Sequence, residues 1–223
     1  MNGPGPFEAF YASAWQHPLA LWLAALAGAA ICLARRDLHP SVRRYGLSLT
    51  ALSLCDAWLT ANRVFGIGAL PAALASVVPL FFVLAGDFRY LLLWEAATPD
   101  GAIAITPRGA ARSAALTAIV PILAQVAAAG REPRVLFLVY EIAFCALTAA
   151  LLRWHPNARA LPWVRVVSRV VLLYYGLWAA ADAVLLTTGA DVGYALRVTP
   201  NLLYYGGLIG AVALLAPSDR RAH

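Results

Sequence analysis

The sequence contains no lysine, because all 17 of its basic residues are arginine. Enzymes that form Schiff bases with carbonyl compounds use a lysine amine for that bond. The missing lysine therefore excludes a retinal-binding opsin and any carbonyl chemistry that depends on a lysine side chain.

Charged residues are scarce, at 13% of the 223 residues, whereas 62% are hydrophobic. Soluble domains average about 25% charged and about 45–50% apolar residues. A soluble fold of this length could not bury so much apolar surface, so the composition excludes a water-soluble enzyme, a nucleic-acid-binding domain and a disordered chain. The N-terminal residues also lack a basic n-region and a cleavage site, so we expect no removable signal peptide.

Cysteine and histidine are few, with three and four residues, and neither type has the spacing of a metal site. Cys32, Cys55 and Cys145 lie within apolar segments, which favours a role in packing over a disulfide framework. No pair of closely spaced acidic residues supports a magnesium site. We therefore expect no bound metal, no haem and no other cofactor.

Seven segments are long and apolar enough to span a membrane, which takes roughly 20 residues in a helix. They lie at about 17–34, 45–62, 71–96, 109–129, 135–152, 164–188 and 193–216. Short connections rich in Arg, Pro, Asp and Gly separate them, and no linker divides the chain. The sequence therefore predicts an all-α fold, a seven-transmembrane-helix bundle that forms a single domain over residues 1–223. A bundle of six spans with one re-entrant segment is the alternative.

The arginines are distributed unevenly between the two ends of these spans. Twelve of the 17 lie in alternate connections and in the C-terminal tail, four lie in the remaining connections, and Arg89 lies within a span. By the positive-inside rule, the N-terminus is outside and the C-terminus is cytoplasmic. We therefore expect a multi-pass protein of the inner membrane, and we interpret the basic excess as a topology signal.

Acidic residues within the spans are the strongest functional signal. An ionisable group in a membrane costs at least a few kcal/mol unless it is paired or hydrated. Asp56, Glu141 and Asp182 lie in three different predicted spans, each on a helix face with other polar or aromatic residues. We predict that these three acids are catalytic groups of a pocket in the outer half of the bundle. Arg197 in the last span is expected to pair with Glu141 or Asp182.

Aromatic and amide side chains on the same helix faces complete the predicted pocket. Aromatic rings can stabilise a cation through their faces, and Arg and Asn can bind polar groups. The predicted substrate-binding residues are Trp58, Tyr174, Tyr175, Trp178, Arg197, Asn201 and Tyr204. The alternative interpretation is that these polar groups only hold neighbouring helices together.

Asp87 and Arg89 lie near the inner end of the third predicted span. Residues two apart point in different directions on a helix, so the two side chains do not pair with each other. We interpret Arg89 as an anchor whose long side chain reaches the cytoplasmic interface. A receptor-like ionic lock is the alternative.

The second and sixth spans have similar sequences, with Asp56-Ala57 followed by Leu59 in one and Asp182-Ala183 followed by Leu185 in the other. This match is compatible with a 3+1+3 parallel repeat. Parallel repeats place binding sites at the interface between the repeats, which would make Asp56 and Asp182 partners.

Arg44-Tyr45-Gly46 and Ala57-Trp58 in the second span resemble the corresponding stretch of the fungal meroterpenoid-type integral-membrane terpene cyclases. The resemblance covers about one span in seven. It implies seven spans, no metal, and protonation of an alkene or epoxide by intramembrane carboxyl groups. The catalytic glutamate that follows the tryptophan in that family is Leu59 here, and Asp56 is the substitute on nearly the same face. The acid in the last span of that family has Asn201 as its nearest polar counterpart.

These observations together favour an enzyme that acts on a small hydrophobic molecule, by acid-initiated cyclisation or isomerisation of an isoprenoid. A proton-coupled small-molecule transporter would use the same acids. A membrane sensor or assembly subunit without chemistry is the third interpretation. We expect membrane lipids and a small hydrophobic ligand as partners, and we expect no binding of nucleic acid. Association of the chain into a homo-oligomer is possible.

Overall fold

The computed structural model describes residues 3–61 and 72–219, and within these residues the regular structure is helical, without a β-strand. The segment Trp15–Ala20, which is kinked at His17, and the π-helical turn Leu203–Gly207 continue directly into the neighbouring α-helices. The α-helices are α1 Pro6–Tyr11, α2 Leu21–Ala34, α3 Pro40–Leu59, α4 Ala72–Ala96, α5 Pro107–Ala127, α6 Pro133–Trp154, α7 Pro162–Thr188, α8 Val192–Leu202 and α9 Leu208–Leu215.

Five helical segments in the described part of the chain are long and apolar enough to cross a membrane. The predicted all-α fold with membrane-spanning helices is confirmed at this level. α3 is 20 residues long but carries Arg43, Arg44 and Asp56, which lower its apolar character. The predicted ends at residues 62 and 71 lie outside the described residues. The five segments are Trp15–Ala34, Pro107–Ala127, Pro133–Trp154, Pro162–Thr188 and Val192–Leu215.

Four of the long helices begin with a proline in their first turn: Pro40, Pro107, Pro133 and Pro162. Proline suits this position because its missing N–H would have no partner in the helix and its φ angle is already helical. The apolar segments predicted from the sequence begin two to five residues later, because each of these helices has an arginine within its first four residues. The prolines therefore mark the helix starts more accurately than hydropathy does.

Consecutive long helices pack side by side, with α7 in contact with α6, α8 and α9, and α2 in contact with α3 and α9. α4 packs on α5, and α5 packs on α6. α3 and α4, by contrast, contact each other along little of their described length. This leaves a groove between α3 and α4.

One end of the bundle is covered by α1, and we call it the α1 end. Asp191, which directly precedes α8, accepts hydrogen bonds from the backbone N–H groups of Phe7 and Glu8, both at 2.8 Å. A carboxylate at a helix N-terminus satisfies donors that have no partner within the helix. Asp191 therefore fastens α1 to the start of α8.

The opposite end, which we call the Arg35 end, is closed by a cluster around Arg35. Its guanidinium donates to the Asp37 carboxylate at 2.8 and 2.7 Å and to the carbonyls of Ala213 and Leu214 at 3.1 and 3.0 Å. The last carbonyls of a helix have no intrahelical partner, so a cation there is favourable. The Arg35 guanidinium also holds the pKa of the exposed Asp37 carboxyl well below its usual range.

Gly206 allows two helices to approach each other closely. A Cβ atom at Gly206 would collide with the backbone of Ala24 in α2. Small residues that let backbones meet are the usual means of packing helices in a membrane. Gly206 therefore fixes the distance between α2 and the last helical segment.

We predict that Gly206→Ala lowers the free energy of unfolding in detergent by about 1–3 kcal/mol, the usual cost of overpacking. Gly176→Ala is the matched control, because a Cβ at Gly176 meets no atom within 4 Å. That substitution should raise stability by about 0.5–1 kcal/mol through the better helix propensity of alanine. Thermal unfolding of the two variants checks the order, and a Gly206→Ala variant as stable as Gly176→Ala would contradict the packing.

Candidate functional site

A cavity of about 240 Å³ lies towards the α1 end of the bundle, where side chains from α1, α2, α3, α4, α6, α7 and the last helical segment converge. Most of the predicted site residues meet there, although they come from spans far apart in the sequence. The predicted residues that line this central cavity are Asp56, Glu141, Tyr175, Trp178, Arg197, Asn201 and Tyr204.

Trp58 lies away from the central cavity, contrary to its predicted role as a substrate-binding residue. Its side chain is 45% exposed and lies beside Trp22 and Leu26 on the outer surface of the bundle. Trp58 follows Asp56 by two residues, and residues two apart point to different sides of a helix. Since Asp56 faces inwards, Trp58 faces outwards.

Asp182 is fully buried, at 0% exposure, and it is the centre of an ion cluster. Its Oδ1 accepts a hydrogen bond from Arg197 and another from Arg134, the latter at 3.3 Å. The predicted pairing of Arg197 with an intramembrane acid is thus found, and the acid is Asp182. Arg134 was not expected here, because the sequence places it in a connection rather than in the pocket.

Glu141 is buried beside Asp182 and lines the central cavity. The Asp182 carboxyl group is close enough to act electrostatically on Glu141. Glu141 Oε2 and Asp182 Oδ2 are both buried, and neither has a hydrogen-bond donor among the described residues. Two ionised carboxylates in contact repel each other, whereas one shared proton satisfies both oxygens. Because both arginines bond Asp182, we expect the proton on Glu141.

Asp56 contributes a second carboxyl group to the central cavity, from α3. Thr60 Oγ1 donates to its Oδ1 at 3.3 Å, and the Tyr205 hydroxyl is a further hydrogen-bond partner. His17 Nε2 lies 3.0 Å from Thr60 Oγ1 and 3.1 Å from the carbonyl of Ala57. Asp56 is therefore held by neutral groups and has no cation within ion-pair distance among the described residues.

Aromatic rings form one continuous wall of the central cavity. The Trp178 ring lies 5.5 Å from Tyr175 and 5.3 Å from Tyr204, and Trp178 Nε1 donates to Asn201 Oδ1 at 2.8 Å. Tyr174 does not line the cavity but packs behind this wall, with its ring 5.4 Å from Trp178 and 5.7 Å from Tyr204. Tyr174 therefore does not contact the cavity, contrary to its predicted role. It packs against Trp178 and Tyr204, which do line the cavity.

Asp87 is a fourth buried acid near the central cavity, and the sequence did not predict it as part of the site. Its carboxylate accepts hydrogen bonds from the hydroxyls of Tyr140 and Tyr175, which both line the cavity. The position of an acidic residue within a predicted span could have identified Asp87 as part of the site. Its two partners lie on α6 and α7, however, and no spacing within the sequence relates those helices to α4.

Arg89 does not reach the cytoplasmic interface, so its prediction as an anchor is wrong. Its side chain is 4% exposed and donates to Ser53 Oγ and to the carbonyl of Tyr204, both at 2.8 Å. The guanidinium also lies over the Tyr204 ring, 4.5 Å from its centroid. Because the Arg89 guanidinium has hydrogen-bond partners inside the bundle, its side chain does not need to extend to water.

α1 covers the end of the central cavity through Tyr11. The Tyr11 hydroxyl accepts from Arg197 Nε at 3.2 Å and lies 3.3 Å from Asn201 Nδ2. The next contact along α1 is between Glu8 and the hydroxyl of Tyr194, at 3.1 Å. The short helix thus reduces water access to the acids below it.

Within the described residues, no group of three or more His, Cys, Asp or Glu side chains lies close enough together to hold a metal ion. The central cavity combines carboxyl groups, which can exchange a proton, with aromatic and apolar side chains.

We predict unequal effects of neutralising the two acids of the cluster on stability. Asp182→Asn leaves Arg197 and Arg134 without their carboxylate and should lower the free energy of unfolding by about 3 kcal/mol. Glu141→Gln replaces a protonated carboxyl by a neutral amide that can also donate to Asp182, so stability should change by less than about 1 kcal/mol. Unfolding in detergent checks both variants, and a larger loss in Glu141→Gln than in Asp182→Asn would contradict the assignment of the proton.

No protein-family model matches this chain, and no curated protein or solved structure does so either. The functional conclusion is therefore drawn from the geometry and chemistry of the central cavity.

Proposed function

We propose that this chain is an integral membrane enzyme that protonates a small lipid-soluble alkene of the isoprenoid type and thereby starts its cyclisation or isomerisation. The observation that carries the proposal is the Glu141–Asp182 carboxyl pair, which adjoins an aromatic-lined cavity and is held on the Asp182 side by two arginines. The resemblance of the second span to membrane terpene cyclases supports the same class of substrate.

Glu141 is the proton donor in this proposal, and Asp182 positions it. Asp182 is bonded to Arg197 and Arg134 and does not line the central cavity, whereas Glu141 does. With Glu141 protonated, two guanidiniums and one carboxylate carry a single net positive charge. Release of the proton makes the cluster neutral, so the arginines favour the transfer. The positive charge moves from the ion cluster to the substrate.

Protonation of an alkene forms a C–H bond from the π electrons and leaves a cation on the other carbon. The faces of Tyr175, Trp178 and Tyr204 are the groups that can stabilise this cation, and a desolvated cation–π contact contributes about 2 kcal/mol. Because these rings pack against one another, they need little reorganisation when the charge appears.

Asp56 is the group that completes the reaction. Loss of a proton from the carbon next to the final cation gives a neutral alkene, and Asp56 is a carboxyl group of the cavity that is not engaged by an arginine. One proton enters the substrate from Glu141 and one leaves to Asp56, so the product is an isomer of the substrate. Return of the proton to Glu141 restores the enzyme.

The size of the central cavity favours a small substrate. Its volume of about 240 Å³ lies just below the range of about 300–1,000 Å³ that is typical of ligand pockets. Apolar side chains of Leu21, Val83 and Phe137 also line it. A short isoprenoid or a similar hydrocarbon suits this combination better than a sugar or a nucleotide does.

Proton-coupled transport is the second candidate, and one feature of the last helical segment favours it. The segment contains Pro200 and, less than one turn later, the π-helical turn Leu203–Gly207, whose Tyr204 lines the cavity. π-helical turns often occur at functional sites, where the helix can rearrange. The same acids would then take up and release a proton together with the substrate.

We expect that the purified protein in detergent, without any ion gradient, converts an isoprenoid alkene into an isomer. In D₂O the product should carry one deuterium from the solvent. Glu141→Gln should lower the rate by about 100-fold or more, as expected for the loss of a general acid. Product analysis by gas chromatography and mass spectrometry measures both effects.

Glu95→Gln is the matched control, because Glu95 lies towards the Arg35 end of the bundle beside Arg112 and His155. Its rate should equal that of the unaltered protein. If the isoprenoid is not converted in detergent but is taken up into sealed vesicles in response to a pH gradient, the protein is a transporter and not an enzyme. A Glu141→Gln variant with full activity would overturn the role of Glu141 in either function.

A further inference from the structure

A second cavity, of about 510 Å³, lies in the groove between α3 and α4 near the Arg35 end. It shares no lining residue with the central cavity, and Arg89 stacked on Tyr204 lies between the two. Leu49, Leu52 and Leu92 are among its walls, so most of the groove is apolar. The α3–α4 groove therefore offers a separate binding site on the side of the bundle.

Two arginines line the α3–α4 groove, and no Asp or Glu does. Arg44 is exposed at its mouth, and Arg89 is buried deeper. Neither guanidinium has a carboxylate within 4.0 Å in the part of the chain that the structure describes. The groove is thus positively charged and is complementary to an anion.

Arg89 also has an unused hydrogen-bond donor. Its two terminal nitrogens donate to Ser53 and to the carbonyl of Tyr204, but its buried Nε has no partner among the described residues. A buried donor without an acceptor is costly, so an acceptor supplied by a bound molecule would be favourable.

The spacing of these groups along α3 indicates an elongated amphiphile. Ser48 lies one turn beyond Arg44 on the same helix face, and both side chains are exposed at the mouth. The Arg89 guanidinium bonds Ser53 and so lies at the same height in the bundle. Ser53 is nine residues from Arg44, or about 13 Å along a helix. The molecule therefore carries an anionic group at one end and an acceptor further along, followed by an apolar part.

We propose that the α3–α4 groove binds one anionic phospholipid of the surrounding membrane. Its phosphate lies against Arg44 and Ser48, an ester carbonyl accepts from Arg89 Nε, and an acyl chain passes between Leu52 and Ala85. A soluble phosphate compound would use only the mouth and would leave the apolar walls exposed. Arginines near a membrane surface attract anionic lipids, which agrees with this choice of occupant.

Native mass spectrometry of the intact chain tests this site, with phosphatidylglycerol and phosphatidylcholine as the probes. One phosphatidylglycerol should remain bound under conditions that remove phosphatidylcholine. Arg44→Gln should weaken the binding by about tenfold, as expected for the loss of one charge-assisted hydrogen bond. Arg108→Gln is the matched control, because Arg108 is exposed near the start of α5 and does not line the groove.

A second pair of variants tests the apolar part of the groove. Ala85→Phe fills the path of the acyl chain and should also reduce phosphatidylglycerol binding. Ala51→Phe adds the same ring at an exposed position of α3 that does not line the groove, and it should have no effect. Thermal unfolding of both variants verifies that they fold.

Three results would overturn the proposal. Equal retention of phosphatidylcholine would exclude recognition of the anionic headgroup. Equal losses in Arg44→Gln and Arg108→Gln would mean that the lipid binds by surface charge alone. Displacement of phosphatidylglycerol by an excess of glycerol 3-phosphate would assign the arginines to a soluble anion instead of a lipid.

Discussion

The buried carboxylate of Asp182, together with the two arginines that bond it, is the interaction on which the rest of the site depends. It joins α6, α7 and the last helical segment through Arg134 and Arg197. Tyr11 bonds to Arg197 in turn, so the cover formed by α1 rests on the same cluster. Both arginines bond Asp182 Oδ1, and in our proposal the neighbouring Glu141, which lines the cavity, carries the proton. A single ion cluster thus joins three helices at the site.

The central cavity and the α3–α4 groove differ in their chemistry. The central cavity contains acids held by neutral donors or by an ion cluster, and its walls are aromatic. The α3–α4 groove contains arginines and aliphatic side chains. Arg89 lies between the two, since it lines the groove while its guanidinium stacks on Tyr204 of the central cavity. A lipid in the groove would therefore contact the residue that supports the aromatic wall.

Helical periodicity predicted the helix faces that carry Asp56, Glu141 and Arg197, but it did not exclude Trp58 from the site. Asp56, Glu141 and Arg197 lie in the central cavity because each belongs to a polar stripe that one helix can bury in one direction only. Partners on different helices could not be predicted, since they depend on how the helices rotate and tilt against each other. Arg134 and Arg89 were assigned by their distance from the span ends, and both instead bond groups inside the bundle.

The central claim is that Glu141 is protonated beside the ionised Asp182, and infrared spectroscopy tests it most directly. The purified protein at neutral pH should have the carbonyl stretch of a protonated carboxylic acid that shifts in D₂O. This band should disappear in Glu141→Gln and persist in Glu95→Gln. A spectrum in which Glu141→Gln removes only a carboxylate band would contradict the claim, because Glu141 would then be ionised and unable to donate a proton to a substrate.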